Sequence, residues 1–182
     1  KAYFNSKKWQ NQIIKLAIKL EQLPENTRPY IVVLKDRANK KHLNEFEEEY
    51  FKNKNSVLCL MDELTDIEAA LKLSSIYLEL NPKTDYYSLD ILNALAMGNV
   101  VVGWQNEVNK ELMPPEFQDY LSGYGDTNKI IKVFTKLLEM DAQERNFTGR
   151  ISRNYVLNNF NIKNMEELLI DAYSTLSFRK AS

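Results

Sequence analysis

The sequence predicts an α/β domain built on a single doubly wound parallel sheet with helices on both faces. Two observations predict this fold class. Short apolar runs, several of them rich in β-branched residues, alternate with longer segments whose apolar residues recur at helical spacing. Each short run is apolar along most of its length, which is typical of a strand buried on both faces. Strands of that kind, separated by helices, form parallel sheets.

Five strands are expected. Four are the apolar runs at residues 30–34, 57–61, 76–80 and 100–102, and a short fifth strand is expected near Tyr120. Cys59 lies in the second run, so we expect it to be buried and to behave as a small hydrophobic residue. Trp104 follows the fourth run, and the sequence leaves open whether its ring lines a cleft or packs beneath one.

Helices are expected between and after these strands. Apolar residues recur at helical spacing in residues 9–22, 65–73, 88–97, 128–140, 143–158 and 164–176, and a charged surface helix is expected at 40–50. Ser88 suits the N-cap of its helix, and Gly98 suits the position just after the helix ends. Residues 105–115, rich in Asn and Pro, are assigned no regular structure.

Length and composition limit the class of protein. A chain of 182 residues with 44% hydrophobic content fits one domain, covering 1–182. Its 24 basic and 25 acidic residues give no bulk attraction to nucleic acid. A single cysteine, no signal peptide and no long apolar stretch lead us to expect a cytoplasmic protein. The numbering opens at Lys1 instead of Met, so we expect it to start inside a longer protein.

Several kinds of chemistry lack a motif in this sequence. It contains no metal-ligand cluster, no nucleophile triad and no phosphate-binding P-loop. In a doubly wound fold, ligands bind beyond the carboxyl ends of the strands. A helix is expected to start at Ser88, soon after the third strand, and a helix N-terminus suits phosphate because its N–H groups are free and its dipole end is positive.

Residues 56–103 carry a resemblance to a known family. They read SVLCLMDELTDIEAALKLSSIYLELNPKTDYYSLDILNALAMGNVVVG. Their order and spacing resemble the donor-binding stretch of family-four retaining glycosyltransferases, in which Glu-Gly-Phe-Gly precedes a helix with Glu-Ala-Met-Ala-x-Gly and a Pro-Val-Val strand. The run NALAMGNVVV at 93–102 is the closest match. The resemblance implies a Rossmann-like domain, the C-terminal half of a two-domain GT-B type enzyme.

Both glutamates of the family signature are replaced here. Aligning Asn93 with the second glutamate places Asp85 at the first, so the loop reads Asp-Tyr-Tyr-Ser without its two glycines. The resemblance implies that Asp85 approaches the donor sugar as the catalytic acidic residue and that Asn93 faces the ribose hydroxyls. Asn93 offers one acceptor oxygen where the family has a carboxylate.

The resemblance implies donor binding without a metal ion or other cofactor. The departing diphosphate would be stabilised by N–H groups at the start of the helix and by two lysines. The residues implied for the site are Lys1, Lys8, Asp85, Tyr86, Tyr87, Ser88, Leu89 and Asn93. The same residues also allow a plainer interpretation, with Asp85 as a solvated loop carboxylate, Asn93 as a helix-surface residue, and the lysines as ordinary surface charges.

Three functional hypotheses follow. The first is the nucleotide-sugar-binding half of a UDP-sugar-dependent hexosyltransferase that acts in polysaccharide, glycolipid or glycoprotein assembly. Its partners would be the nucleotide sugar and a missing N-terminal domain, reached by the closing helices at about 143–176, and peripheral membrane association of the full-length protein stays open. The second is a non-catalytic glycosyltransferase-like subunit that binds or chaperones a partner, which the altered Asp85 and Asn93 favour. The third is a Rossmann-like binding domain for another ligand.

Overall fold

The chain folds into parallel strands and helices, which confirms the predicted α/β class. The computed structural model describes residues 7–34, 46, 48, 50, 52, 57–61, 67–80 and 88–179. The strands are β1 Ile31–Leu34, β2 Leu58–Met61, β3 Ile76–Glu79, β4 Val100–Trp104 and β5 Leu121–Ser122. The helices are α1 Lys7–Leu20, α2 Ile67–Leu73, α3 Leu89–Ala96, α4 Glu107–Leu112, α5 Thr127–Glu139, α6 Ala142–Asn159 and α7 Ile162–Arg179. Residues 46, 48, 50 and 52 are also helical.

The strands form two parallel sheets within the described residues, in place of the one sheet expected. β1 pairs with β2, from Ile31 beside Leu58 onward. β4 lies between β3 and β5 in the other sheet. A single sheet would need a ladder from β1 or β2 to β3, and the described part of the chain contains none. The two sheets nevertheless share one hydrophobic core, to which Ile31 and Val101 both belong.

The expectation that the first two strands are buried on both faces is wrong. Side chains alternate along β1 and β2, so that Leu58 is buried while Cys59 and Met61 are exposed. Val32 is the register partner of Cys59 and is 51% exposed. The expected burial of Cys59 is therefore wrong as well, because one face of this strand pair stays open to solvent.

β4 is the central strand of the second sheet. All five of its residues are buried, between β3 on one side and β5 on the other. The side chains around it come from α1, α3 and α5, whose buried apolar residues share its core cluster. Near its end, β4 lies too close to the backbone of β3 for a side chain at position 103. A Cβ on Gly103 would lie 2.3 Å from the carbonyl oxygen of Glu79.

The ends of α2 and α3 are tied together by Asn99. Its Nδ2 donates to the carbonyl oxygens of Leu71, at 2.9 Å, and of Ala94, at 3.3 Å. Its Oδ1 accepts from the hydroxyl of Ser74 at 2.7 Å. Asn99 is fully buried, and these bonds satisfy carbonyl groups that a helix leaves without an internal partner at its C-terminus.

α3 and α6 cross in close contact. The contact is made by Gly98, which has the positive φ of 83° that favours glycine after a helix, and by Gly149 of α6. A Cβ on Gly149 would lie 2.7 Å from the carbonyl oxygen of Gly98. The backbone of α6 can approach α3 this closely only because neither position carries a side chain.

The closing helices behave differently from each other. α6 starts with a capping box, in which the Asp141 side chain accepts from the Glu144 N–H while the Glu144 side chain accepts from the Asp141 N–H. α7 presents its apolar side chains to solvent. The exposed apolar residues of its described part are Ile162, Met165, Leu168, Leu169, Ile170 and Tyr173. Among the helices that the structure describes, none is long and apolar enough to cross a membrane.

Candidate functional site

The carboxyl ends of β3, β4 and β5 meet at one edge of their sheet. The strands run parallel, with Glu79 beside Gly103 and Trp104 beside Ser122 in register. In doubly wound folds ligands bind beyond this edge. The next described element after β3 is α3, whose N-terminus is therefore the first place to look for a ligand site.

Ser88 caps α3, as its sequence predicts. Its hydroxyl oxygen accepts from the backbone N–H of Ile91 at 3.4 Å, and the residue is buried. α3 then buries one face through Ile91, Ala94 and Leu95. The other N–H groups at the start of the first turn have no acceptor inside the helix, so the positive end of the helix dipole lies at this point.

Leu89 and Asn93 lie on the open face of α3. They are four residues apart, which places them on the same side of the helix, one turn from each other. Leu89 is 71% exposed, and Asn93 is exposed as well. The side chain of Asn93 is therefore accessible from solvent, and its role in binding stays a prediction.

The other predicted site residues cannot be placed beside these three. Lys1, Asp85, Tyr86 and Tyr87 lie outside the described residues. Lys8 lies in the first turn of α1, and its side chain is outside the description. The structure thus brings together Ser88, Leu89 and Asn93, and the site roles expected for all eight residues stay predictions.

Three polar side chains near this edge were missed by the sequence analysis. The Tyr77 hydroxyl lies 3.5 Å from Oε2 of Glu79, and Glu79 is buried at the last position of β3. Burial raises the pKa of Tyr77 far above its ordinary value, and the negative charges of Glu79 and Asp90 raise it further. The available signal was the alternation in β3, where residues 77 and 79 share one face.

Asp90 places a negative charge in the first turn of α3. A carboxylate at this position interacts favourably with the helix dipole, but it also opposes the approach of a second anion such as a diphosphate. Asp90 therefore bears on how strongly a diphosphate can bind at the start of α3.

Trp104 packs beneath the edge, which decides the alternative that the sequence left open. The residue is only 2% exposed, and its indole Nε1 donates to the carbonyl oxygen of Leu80 at 3.0 Å. Its own carbonyl oxygen accepts from Nδ2 of Asn109 at 2.8 Å. The ring of Tyr124 meets the indole edge to face, with 5.7 Å between centroids. These contacts fix the backbone at the carboxyl ends of β3 and β4.

The turn after β5 approaches α1. Gly125 has a φ of 83°, and Asp126 caps α5 by accepting from the Lys129 N–H at 3.0 Å. The position of a Cβ on Gly125 lies 3.6 Å from Nε2 of Gln12, while Oε1 of Gln12 is buried and has no hydrogen-bond partner among the described residues. Within the described residues, no group of three or more His, Cys, Asp or Glu side chains is placed to hold a metal ion.

Comparisons with known proteins identify the fold. HepE from Anabaena, solved with UDP-glucose, matches with a TM-score of 0.74 at 14% identity, over 93% of this chain and 46% of HepE. A glycosyltransferase from Rickettsia africae matches with a TM-score of 0.73 at 14% identity, over 92% of this chain and 44% of that protein. The pneumococcal O-GlcNAc transferase GtfA, solved with UDP and GlcNAc, matches with a TM-score of 0.55 at 14% identity, over 87% of this chain and 33% of GtfA.

These matches establish the fold of the chain and its length relative to the matched proteins. The chain has the fold of one domain of GT-B glycosyltransferases, and it spans less than half the length of each matched structure. No protein-family model matches the sequence, and no curated protein sequence matches it.

Proposed function

We propose that this chain is the donor-binding, C-terminal half of a retaining glycosyltransferase that uses a UDP-sugar. The observation that carries the proposal is the match of nearly the whole chain to one half of HepE, a protein solved with UDP and with UDP-glucose. The capped start of α3, with Asn93 on its open face, supports it. On this proposal 1–182 form one domain, and β1–β2 and β3–β5 belong to one doubly wound sheet.

In this proposal the donor lies beyond the carboxyl ends of the strands, against the start of α3. The N–H groups of Tyr87, Ser88 and Leu89 and the ammonium groups of Lys1 and Lys8 stabilise the departing diphosphate without a metal ion. Asn93 accepts a hydrogen bond from a ribose hydroxyl, and Asp85 lies beside the donor sugar. The acceptor, a polysaccharide, lipid or protein, binds mainly to an N-terminal half, so this chain alone does not catalyse transfer.

The apolar stripe of α7 supports the partnership with a second half. Ile162, Met165, Leu169 and Tyr173 recur at helical spacing, which places them on one face, and each is at least 49% exposed. A monomeric domain rarely leaves such a stripe uncovered. We assign the N-terminal half as its cover, because the chain spans only 46% of the HepE structure it matches.

A second candidate function is a non-catalytic glycosyltransferase-like subunit that acts as a binding or chaperone partner. Asp90 favours it, since its carboxylate in the first turn of α3 opposes a bound diphosphate. Asp85 and Asn93 also favour it, because they replace the two glutamates with which the family contacts the donor. The two candidates differ in whether UDP binds at the start of α3.

The test is a titration of the chain with UDP and then UDP-glucose, followed by amide NMR shifts. The donor-site proposal predicts saturable shifts at Ser88 to Asn93. Asn93→Leu should weaken binding by about 1–3 kcal/mol, because a buried ribose hydroxyl loses its acceptor. Asn154→Leu on the exposed surface of α6 is the matched control and should leave binding unchanged.

Absence of shifts up to millimolar UDP would count against the donor-site proposal for this chain. The same titration on a longer protein that includes the N-terminal half then separates the two candidates. Binding restored there would mean that the site needs both halves. Binding still absent there would favour the non-catalytic partner.

A further inference from the structure

A basic cleft lies at the amino ends of β3 and β4, on the sheet edge opposite the start of α3. It has a volume of about 520 Å³, and Ser75, Ile76 and Val100 mark the strand ends beneath it. Its walls come from the C-terminal ends of α2, α3 and α5 and from one face of α6. A cleft of this volume accommodates a small ligand.

The charge of the cleft has one sign. Lys72 from α2 and Arg145, Arg150 and Arg153 from α6 line it, and no carboxylate is among its lining residues. All three arginines line the cleft, and Arg150 and Arg153, three residues apart, are neighbours on the surface of α6. The nearest acidic residues of α6 and its cap, Asp141 and Glu144, are held in the capping box at the helix start. The chain as a whole carries a net charge of −1, so this positive cleft does not reflect an overall positive charge.

The C-terminal ends of three helices neutralise part of this positive charge. α2, α3 and α5 all end at the cleft, and each helix C-terminus contributes roughly half a negative charge. The four cationic side chains therefore leave a net positive charge of about two and a half after the three helix ends are counted. Arg145 is engaged structurally, since its Nη1 donates to the carbonyl oxygen of Met140 at 2.6 Å. Within the described part of the chain, no ion pair or hydrogen bond is found for the guanidinium of Arg150 or Arg153.

The floor of the cleft is bare backbone. Gly98 and Gly149 meet there, and Gly149 has no room for a Cβ. Ser74 and Ser75 add small polar side chains at the rim. A compact anion can therefore reach the backbone between the arginines without displacing a large side chain.

We propose that this cleft binds a phosphate-bearing ligand at a site separate from the proposed donor site. Arg150 and Arg153 have no hydrogen-bond or ion-pair partner among the described residues, and the lining residues of the cleft include no carboxylate. They suit phosphate oxygens because guanidinium binds them in a bidentate manner. The phosphate belongs either to a free phosphorylated small molecule or to a lipid headgroup. Leu73 follows Lys72 in the chain and is 90% exposed, so it offers a lipid an apolar contact next to a lining residue of the cleft.

The test uses inorganic pyrophosphate and, separately, phosphatidylcholine vesicles with and without a phosphatidylinositol phosphate. Amide NMR shifts at Ser75, Gly98 and Gly149 report on the cleft, while shifts at Ser88 to Asn93 report on the other edge. The variant Arg150→Gln/Arg153→Gln removes both of these guanidinium groups. The matched control Lys132→Gln/Lys163→Gln removes the same charge from exposed positions outside the cleft.

The proposal predicts pyrophosphate shifts at the cleft that the arginine variant weakens about tenfold or more and the lysine control does not. If the arginine variant weakens binding to the phosphoinositide vesicles as much as binding to pyrophosphate, the ligand is a lipid headgroup. If the wild type binds pyrophosphate but not the vesicles, the ligand is a free phosphate compound. Three outcomes would overturn the proposal. The first is shifts confined to Ser88–Asn93, and the second is no binding of either probe. The third is an arginine variant that loses thermal stability while its binding is unchanged. The last result would mean that the arginines only neutralise helix ends.

Discussion

At the scale of single residues, Tyr77 combines burial with two neighbouring negative charges. Burial raises its pKa above the ordinary value of a tyrosine, and Glu79 and then Asp90 add to the effect. The folded chain therefore keeps the phenol neutral at a pH where the unfolded chain ionises it. Stability from this difference is fully present below about pH 10, the ordinary tyrosine pKa, and is lost as the pH rises beyond it.

Tyr77→Phe should therefore reduce the loss of stability at alkaline pH. The free energy of unfolding of the wild type should fall between about pH 9 and about pH 11 more steeply than that of the variant, by up to about 1.4 kcal/mol per pH unit. Urea unfolding at both pH values measures this. The slope should not vanish, because burial also raises the pKa of Tyr120 and of Tyr155. Tyr173→Phe, which removes an exposed hydroxyl, is the control, and equal slopes for Tyr77→Phe and wild type would contradict the prediction.

How well a residue could be predicted depends on how local its determinants are. Ser88 as a cap and Gly98 as a helix terminator were predicted correctly, because caps depend on a few consecutive residues. The burial of Cys59 was predicted wrongly, because it depends on what covers the sheet. Trp104 could not be decided, since its indole bonds to Leu80, 24 positions earlier in the chain. Four of the eight predicted site residues lie outside the described residues, and of Lys8 only the backbone is described. The site roles of all eight still rest on the resemblance.

At the scale of elements, the strands and most helices follow from hydrophobic periodicity. β1 to β4 and α5 lie within about two residues of the expected positions. α4 was missed because Asn and Pro dominate its surroundings, although Asn106 caps it by accepting from the Asn109 N–H at 2.7 Å. The crossing of α3 and α6 was also not predictable, because it depends on two glycines 51 positions apart in the chain.

The crossing of α3 and α6 should not tolerate a methyl group. Gly149→Ala places a Cβ 2.7 Å from a backbone oxygen, which cannot rotate away as a flexible side chain can. The gain in helix propensity, roughly 1 kcal/mol, should be outweighed, giving a net destabilisation of about 1–3 kcal/mol. Chemical denaturation measures the difference.

Asn154→Ala is the matched control for this substitution. It lies at an exposed position of the same helix, where alanine improves the propensity without a clash. The control should be neutral or slightly stabilising. A Gly149→Ala variant as stable as this control would mean that α6 can shift away from α3 at little cost.

At the scale of the whole molecule, the two edges of the sheet carry different proposed roles. The carboxyl edge offers the N-terminus of α3, and the amino edge offers the basic cleft, so two anionic ligands would be held at opposite ends of the strands. The chain also presents a third surface, the apolar stripe of α7. The described side chains of this last helix are mostly exposed, whereas α6 is held against α3.

The α7 stripe should make the chain self-associate when no second half is present. Met165→Glu/Leu169→Glu should shift the chain toward monomer in sedimentation velocity, because two charges in an apolar contact are costly to desolvate. The folded stability should change by no more than about 0.5 kcal/mol, since both side chains are already exposed. Lys163→Glu changes the net charge by the same two units on the polar face of α7, so it should leave self-association unchanged. A wild type that stays monomeric at high concentration would show that the apolar stripe of α7 is stable in water without a partner. One of the arguments for an N-terminal half that covers α7 would then be lost.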